Sequence, residues 1–231
     1  MQNATQAKLF AVSRKLIQKL NPGVDTLVVD NGSPIGPSQW ADSTLWFHFD
    51  EPIGHFFHDV HGINGKPPRD GPGRAHTVAM AIAEAAGYDR AVYIEADALF
   101  FRPVEWGFSQ MTKNVACQPA GKYYALDFHV MWWRDLKWAK EFDFWGKYDW
   151  QSRVGEPGGE PAGEDVYIKI FGDAIEALPV RGERGDALGL YTGNYDRLFP
   201  DGIDLLTHVD VPTFQWVLFK MGHGELASIL A

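Results

Sequence analysis

The sequence predicts a single-domain, three-layer α/β/α sandwich around a mostly parallel mixed sheet. Three observations carry that expectation. The short apolar runs Leu27-Val28-Val29 and Ala91-Val92-Tyr93-Ile94 have the composition of strands buried on both faces. Each follows a stretch of helical periodicity, and alternating helix and apolar strand is the pattern of a helix-covered sheet. At 231 residues and 45% hydrophobic, the chain supports one sizeable core.

In chain order, residues 5–20 place Leu9, Val12, Leu16, Ile17 and Leu20 at helical spacing, with Lys8, Arg14, Lys15 and Lys19 around them. Asn21-Pro22-Gly23 stops that helix. Thr26 to Asp30 is a strand closed by the turn Asp30-Asn31-Gly32-Ser33, and Leu45 to Phe49 is a second, aromatic strand. Residues 50–73 are rich in Gly, Pro and His and read as a long loop. His55, His58 and His61 on it read as surface residues, because no helix or cysteine pattern holds them as ligands.

Residues 73–87 form a helix of small and apolar residues (Ala75, Val78, Ala79, Ile82, Ala83), stopped by Gly87. It leads into the strand whose end carries Glu95-Ala96-Asp97. If extension continues through Ala96, the two carboxylates share one face. Paired acids at the end of a buried strand are costly unless compensated, and a divalent cation with oxygen ligands compensates them. Residues 115–119 and 126–133 are further strands, and 135–144 a short aromatic helix. An acidic Gly/Pro loop over 155–163 delivers Glu164 to Phe171, a helix with both acids in its first turn, where the macrodipole favours them. Residues 185–196 read as a polar loop, and 203–210 as a strand reaching His208. Val211 to Met221 then reads as a segment closing over the site.

Composition narrows the function. A net charge of -9 argues against general nucleic-acid binding, which rests on a basic surface. The one cysteine, Cys117, excludes an intramolecular disulfide. No run approaches the ~20 apolar residues of a membrane span, and no signal-peptide core is evident. The expectation is a cytoplasmic protein with no transmembrane segment and no nucleic-acid partner. Nine Trp and 15 Phe offer either core or flat surfaces for stacking on sugars or bases, and Trp132, Trp133 and Trp150 are candidates for such an acceptor wall or for the core.

Val28-Val29-Asp30-Asn31-Gly32-Ser33 resembles the second-strand signature of GT-A-type glycosyltransferases. The helix from Gly73-Arg74-Ala75-His76-Thr77, leading into Tyr93-Ile94-Glu95-Ala96-Asp97, resembles the helix those enzymes place before their metal-binding D-x-D strand, with Glu for the first Asp. The ordered match covers residues 27–101, about a third of the chain. It implies a metal-dependent transferase that moves a hexosyl or related sugar from a nucleotide-diphosphate donor to a glycan or other hydroxyl acceptor. The resemblance makes Asp97, Glu95 and His208 ligands of Mn2+ or Mg2+. It places Asp30, Asn31, Arg74 and Glu95 on the nucleotide, with Arg74 assisting the phosphates. Glu164-Asp165 resembles the acidic element of inverting members, where the Asp is the general base. Phe128-His129-Val130-Met131 with Glu164-Asp165 and His208 is also similar to glycogenin-like retaining enzymes, which need no such base. A catalytically inactive carbohydrate- or nucleotide-binding protein of the same fold is the rival from another class. A nucleotidyltransferase is disfavoured by the lack of a Gly-rich basic phosphate loop. The donor half is expected at about residues 1–110 and the acceptor half at 111–231. Such folds usually open with a strand before the first helix. The expectation is therefore an apolar strand upstream of Met1, pairing beside residues 27–30.

Overall fold

The computed structural model of the chain describes residues 4–34, 45–53, 70–119, 126–150, 163–184, 202–207 and 210–230. His55, His58, His61, His208 and the loop over 185–196 lie outside them.

Helix α1 (Ala4–Leu20) precedes strands β1 (Leu27–Asp30) and β2 (Leu45–His48). Helix α2 (Gly71–Ala85) leads into β3 (Ala91–Ile94), β4 (Leu99–Phe100) and α3 (Val104–Gln110). Then come β5 (Val115–Pro119), β6 (Leu126–Trp133), α4 (Leu136–Glu141), α5 (Phe144–Lys147) and α6 (Gly163–Phe171). The chain closes with β7 (Ile175–Ala177), β8 (Gly182–Arg184), β9 (Leu205–Thr207), α7 (Val211–Lys220) and α8 (Gly224–Ala227). Two of the three sheets among the described residues are mixed. One has the order β3-β6-β5-β7, with β6 antiparallel to both neighbours and β5 parallel to β7. β1 and β2 form a parallel pair, and β9 lies between antiparallel β4 and parallel β8.

Strand β6 organises the core because consecutive residues face opposite layers. Trp133 packs against Phe144 and Phe171 in the layer formed with α2, α4, α5 and α6. Trp132, on the other face, packs against Phe100 and Trp106. Its indole lies so close to Gly107 that a Cβ there would sit 2.1 Å from the ring. Both indole N–H groups are satisfied, Trp132 Nε1 by Val104 O at 3.0 Å and Trp133 Nε1 by His76 Nε2 at 3.1 Å. With both side chains fully buried, Trp132 and Trp133 are core residues and not an acceptor wall. A third cluster joins α1, β4, α7 and α8 through Val12, Leu16, Leu99, Phe214, Val217 and Leu226. Residues 211–220 are thus a packed helix, capped by Asp210 on Thr213 N, and not a closing flap.

The expected strand from Ala91 is shorter than its apolar run. After Ile94 the chain turns, with Ala98 N donating to Glu95 O at 3.1 Å, and resumes as β4. Glu95 and Asp97 therefore sit in a tight turn and not on an extended strand face. The predicted helix over 73–87 begins two residues earlier, at Gly71, because Asp70 caps it by accepting from Gly73 N at 2.8 Å.

Candidate functional site

Two hydrogen bonds fix how β1, α2 and β3 run. Arg74, in the first turn of α2, binds Asn31 just past the end of β1. Tyr88, after the end of α2, donates to Asp25 just before β1 begins. Helix α2 is thus antiparallel to β1, and β3, which starts three residues after Tyr88, returns parallel to β1. The carboxyl ends of both strands, with Asp30 and Glu95, lie at the same edge as the amino end of α2. Ligands of open α/β sheets gather at such edges.

At the β1 end, Asp30 is buried and accepts from Ser33 N at 2.8 Å, Ser33 Oγ at 2.5 Å and His48 Nδ1 at 2.6 Å. The turn sequence supplies the serine, and the parallel register Asp30↔His48 supplies the imidazole. Asn31 donates to Ile53 O at 2.7 Å and accepts from both Nε and Nη2 of Arg74. Arg74 Nη2 also donates to Glu51 O at 2.9 Å, and the guanidinium lies 3.8 Å from the centre of the Phe49 ring. Arg74 is therefore a buried, fixed cation inside the first turn of α2. Burial lowers its pKa to about 10, against the opposing pull of Asp30 and Glu51, so it stays charged at neutral pH. Its Nη1 has no hydrogen-bond partner among the described residues.

At the β3 end, Glu95 and Asp97 are half-buried within their turn. Glu95 N donates to His129 O at 2.9 Å, and Glu95 Oε2 pairs with His129 Nδ1. Among the described residues no group of three or more His, Cys, Asp and Glu is arranged to hold a metal ion. Glu95 and Asp97 are the two carboxylates of this turn, and Mg2+ sites use one or two protein carboxylates.

A buried polar chain ties this edge to the second half of the molecule. Trp133 Nε1 donates to His76 Nε2, so the imidazole proton sits on Nδ1, which faces Tyr167 Oη at 2.9 Å. Tyr167 is hydrogen-bonded to Tyr148, whose hydroxyl donates to Asp70, the cap of α2. Burial lowers the His76 pKa to about 3 and pushes Tyr93 and Tyr167 well above the usual phenol range. Helix α6 is thereby anchored to the amino end of α2 through Tyr167. Glu164 and Asp165 occupy its first turn, as the sequence predicts; their side chains lie outside the described residues.

Of the residues expected at the site, Asp30, Asn31, Arg74, Glu95 and Asp97 share one edge. The sequence reading does not place their partners His48, His129 and Asp70 there, nor Tyr148, which binds Asp70. The only sequence signal for the first two is strand pairing, which a single chain does not display. Trp150 is partly buried and lies 5.8 Å from Arg74, so it remains beside this edge.

No family model and no curated protein matches the sequence. Solved structures do match its fold. The glycosyltransferase GlyE of Streptococcus pneumoniae TIGR4 superimposes with a TM-score of 0.57 at 12% identity, covering 98% of this chain and 60% of GlyE. Its apo form gives the same TM-score at 13% identity. The galactosyltransferase LgtC, solved with donor and acceptor sugar analogues, gives a TM-score of 0.58 at 12% identity, covering 96% of this chain and 91% of LgtC. This chain thus spans less than two thirds of GlyE and nearly all of LgtC. Its fold is that of GT-A-type glycosyltransferases.

Proposed function

We propose that this chain transfers a hexosyl or related sugar from a nucleotide-diphosphate donor to an acceptor hydroxyl of a glycan or similar molecule. The observation that carries the reading is the shared edge. A fixed arginine, an Asp-Asn turn and a two-carboxylate turn meet at the carboxyl ends of parallel strands, in a fold that sugar transferases use. Mn2+ or Mg2+ would be held by Asp97 and Glu95, with His208, and when bound supplies the positive charge that stabilises a leaving diphosphate. Arg74 presents Nη1 toward anionic oxygens while Asn31 and Glu51 hold its other nitrogens in place. Asp30 and Asn31 line the nucleoside side. Asp165, assisted by Glu164, takes the proton of the acceptor hydroxyl, which gives inversion at the anomeric carbon.

One contact favours a second reading. His129 already engages Glu95, which suits a binding protein that holds a nucleotide or carbohydrate without catalysis. Thermal-shift titration with UDP-, GDP- and dTDP-sugars, with and without Mn2+, separates the two. Transfer requires a Mn2+-dependent stabilisation that Asp97→Ala abolishes with the fold intact. Stabilisation by nucleotide-sugar that ignores Mn2+ in both forms overturns the metal assignment and leaves binding alone.

A further inference from the structure

Helix α1 and the segment from α7 to residue 230 share the third cluster, which includes Val12, Leu16, Phe214, Val217 and Leu226. Their outward faces differ in charge from the rest of the chain. The chain has a net charge of -9, yet residues 4–20 hold Lys8, Arg14, Lys15 and Lys19 and no acid, and residues 211–230 hold Lys220 against Glu225. Arg14 is buried. Lys8, Lys15 and Lys19 are exposed and stand seven and four residues apart. They share one face of α1, in a line about 16 Å long.

The carboxyl end of that line meets an aromatic patch. Lys19 Nζ donates to Glu225 Oε1 at 2.5 Å and to His223 Nδ1 at 3.1 Å, at the start of α8. The Phe219 ring lies against Gly224, where an added Cβ would sit 2.8 Å from it. Phe219 is 65% exposed, the most of any large apolar side chain among the described residues. Three residues earlier Trp216 is half-buried, and the Lys220 ammonium lies 5.3 Å from the centre of its ring. A single exposed phenylalanine is ordinary on a protein surface. Here it stands with a partly exposed tryptophan between Lys220 and the lysine line, and Asp210 caps the far end of α7.

We propose that this face binds the surface of an anionic phospholipid bilayer, with Phe219 and Trp216 entering the headgroup region and Lys8, Lys15, Lys19 and Lys220 set against the lipid phosphates. Charge selects this occupant. In an isologous pair of chains the lysines of one copy would face those of the other, and like charges disfavour that contact. An anionic lipid surface accepts the whole line at once, and Trp and Phe suit the boundary between headgroups and acyl chains. Lysine stems cover apolar surface while their ammonium groups stay among the phosphates. Among the described residues no helix is long and apolar enough to cross a membrane. A helix that lies on the surface needs no such span.

The test sediments the full chain with sucrose-loaded vesicles of phosphatidylcholine, alone or with roughly a third phosphatidylglycerol. No nucleotide, sugar or metal is added, so the result stands apart from the sugar-transfer reading. Binding to the mixed vesicles should exceed binding to phosphatidylcholine at least ~10-fold, because each lysine near an anionic surface is worth about a factor of 5. Raising salt from about 0.1 M to 1 M shortens the screening length from about 10 Å to 3 Å and should release most of the protein. Lys8→Gln combined with Lys15→Gln should weaken binding about 25-fold, and Phe219→Ser at least ~5-fold. Lys137→Gln, on α4 in a different layer, should leave it unchanged. All four side chains are exposed, so Tm should hold; where a variant melts early, the lipid and salt dependence of the unaltered chain decide. Equal binding to both vesicles, or none, overturns the proposal. An effect of the lysines without one of Phe219→Ser marks a general polyanion surface and overturns it, as does binding to a single-stranded oligonucleotide as tight as to the mixed vesicles. Self-association of the chain that Phe219→Ser abolishes assigns the face to a second copy and overturns it as well.

Discussion

His76 is the residue whose chemistry is most constrained by its surroundings. It is enclosed by Tyr93, Trp133, Phe144 and Tyr167, and accepts from the indole N–H of Trp133. Its pKa falls from 6.5 to about 3 because burial penalises the imidazolium. The unfolded chain then binds a proton that the folded chain refuses, so stability drops as pH falls below 6.5 and continues to drop until about 3. At pH 5 the loss is about 2 kcal/mol from this residue alone. His76→Gln should flatten the pH dependence of urea midpoints between pH 7 and 5, although the variant is less stable at pH 7. A slope unchanged by the substitution would assign the acid sensitivity elsewhere. Arg74 gives a second prediction at this scale. Asn31→Ala removes the oxygen that holds Nε and Nη2, and should weaken nucleotide-sugar binding roughly 10-fold, in keeping with the loss of a charge-assisted hydrogen bond. Isothermal titration reads this, and Asn31→Asp should restore much of the affinity if positioning of the guanidinium is the cause. The sequence singled out Arg74 and Asn31 but not the bond between them. They are 43 residues apart, and only the return of α2 alongside β1 brings them together.

At the scale of elements, helices were legible from 3.6-residue periodicity and strands from short apolar runs, because local pattern alone determines which face each one buries. The end of β3 was not legible. Ala98, Leu99, Phe100 and Phe101 resume the apolar run after Asp97, so composition hides the turn that the Glu95–Ala98 hydrogen bond makes. The tryptophans misled for a related reason. Aromatic content does not distinguish a wall from a core, and strand alternation sends Trp132 and Trp133 into two different cores. The contact of α3 with β6 has a specific weak point at Gly107. A methyl group there meets the Trp132 indole, which is itself held by Val104 O and cannot swing aside cheaply. Gly107→Ala should cost about 1–3 kcal/mol, the usual range for overpacking, and Trp132→Phe in the same chain should recover part of it. Equilibrium denaturation of the two single variants and the double variant measures the coupling.

Across the whole molecule, the buried chain from Trp133 through His76, Tyr167 and Tyr148 to Asp70 joins β6, α2, α6 and the segment after α5. It crosses the boundary near residue 110 that divides the proposed donor half from the acceptor half. The orientation of α6 against the amino end of α2 is therefore fixed by hydrogen bonds, and the first turn of α6 holds Asp165, the proposed general base. A general base acts on a proton that moves only in the transition state, so its removal should lower turnover and leave donor binding alone. Asp165→Asn is expected to bind nucleotide-sugar with wild-type affinity and to transfer sugar at least ~100-fold more slowly, the lower end of general acid–base contributions. Tyr167→Phe, which breaks the anchor without touching the acid, should lower turnover less, because the helix shifts while its carboxylate remains. Rates measured at saturating donor, with anomeric analysis of the product by NMR, decide the mechanism. An inverted product with the expected loss fits a base at Asp165, whereas near-native turnover with a retained anomer assigns the chain to the retaining route and removes the base from Asp165.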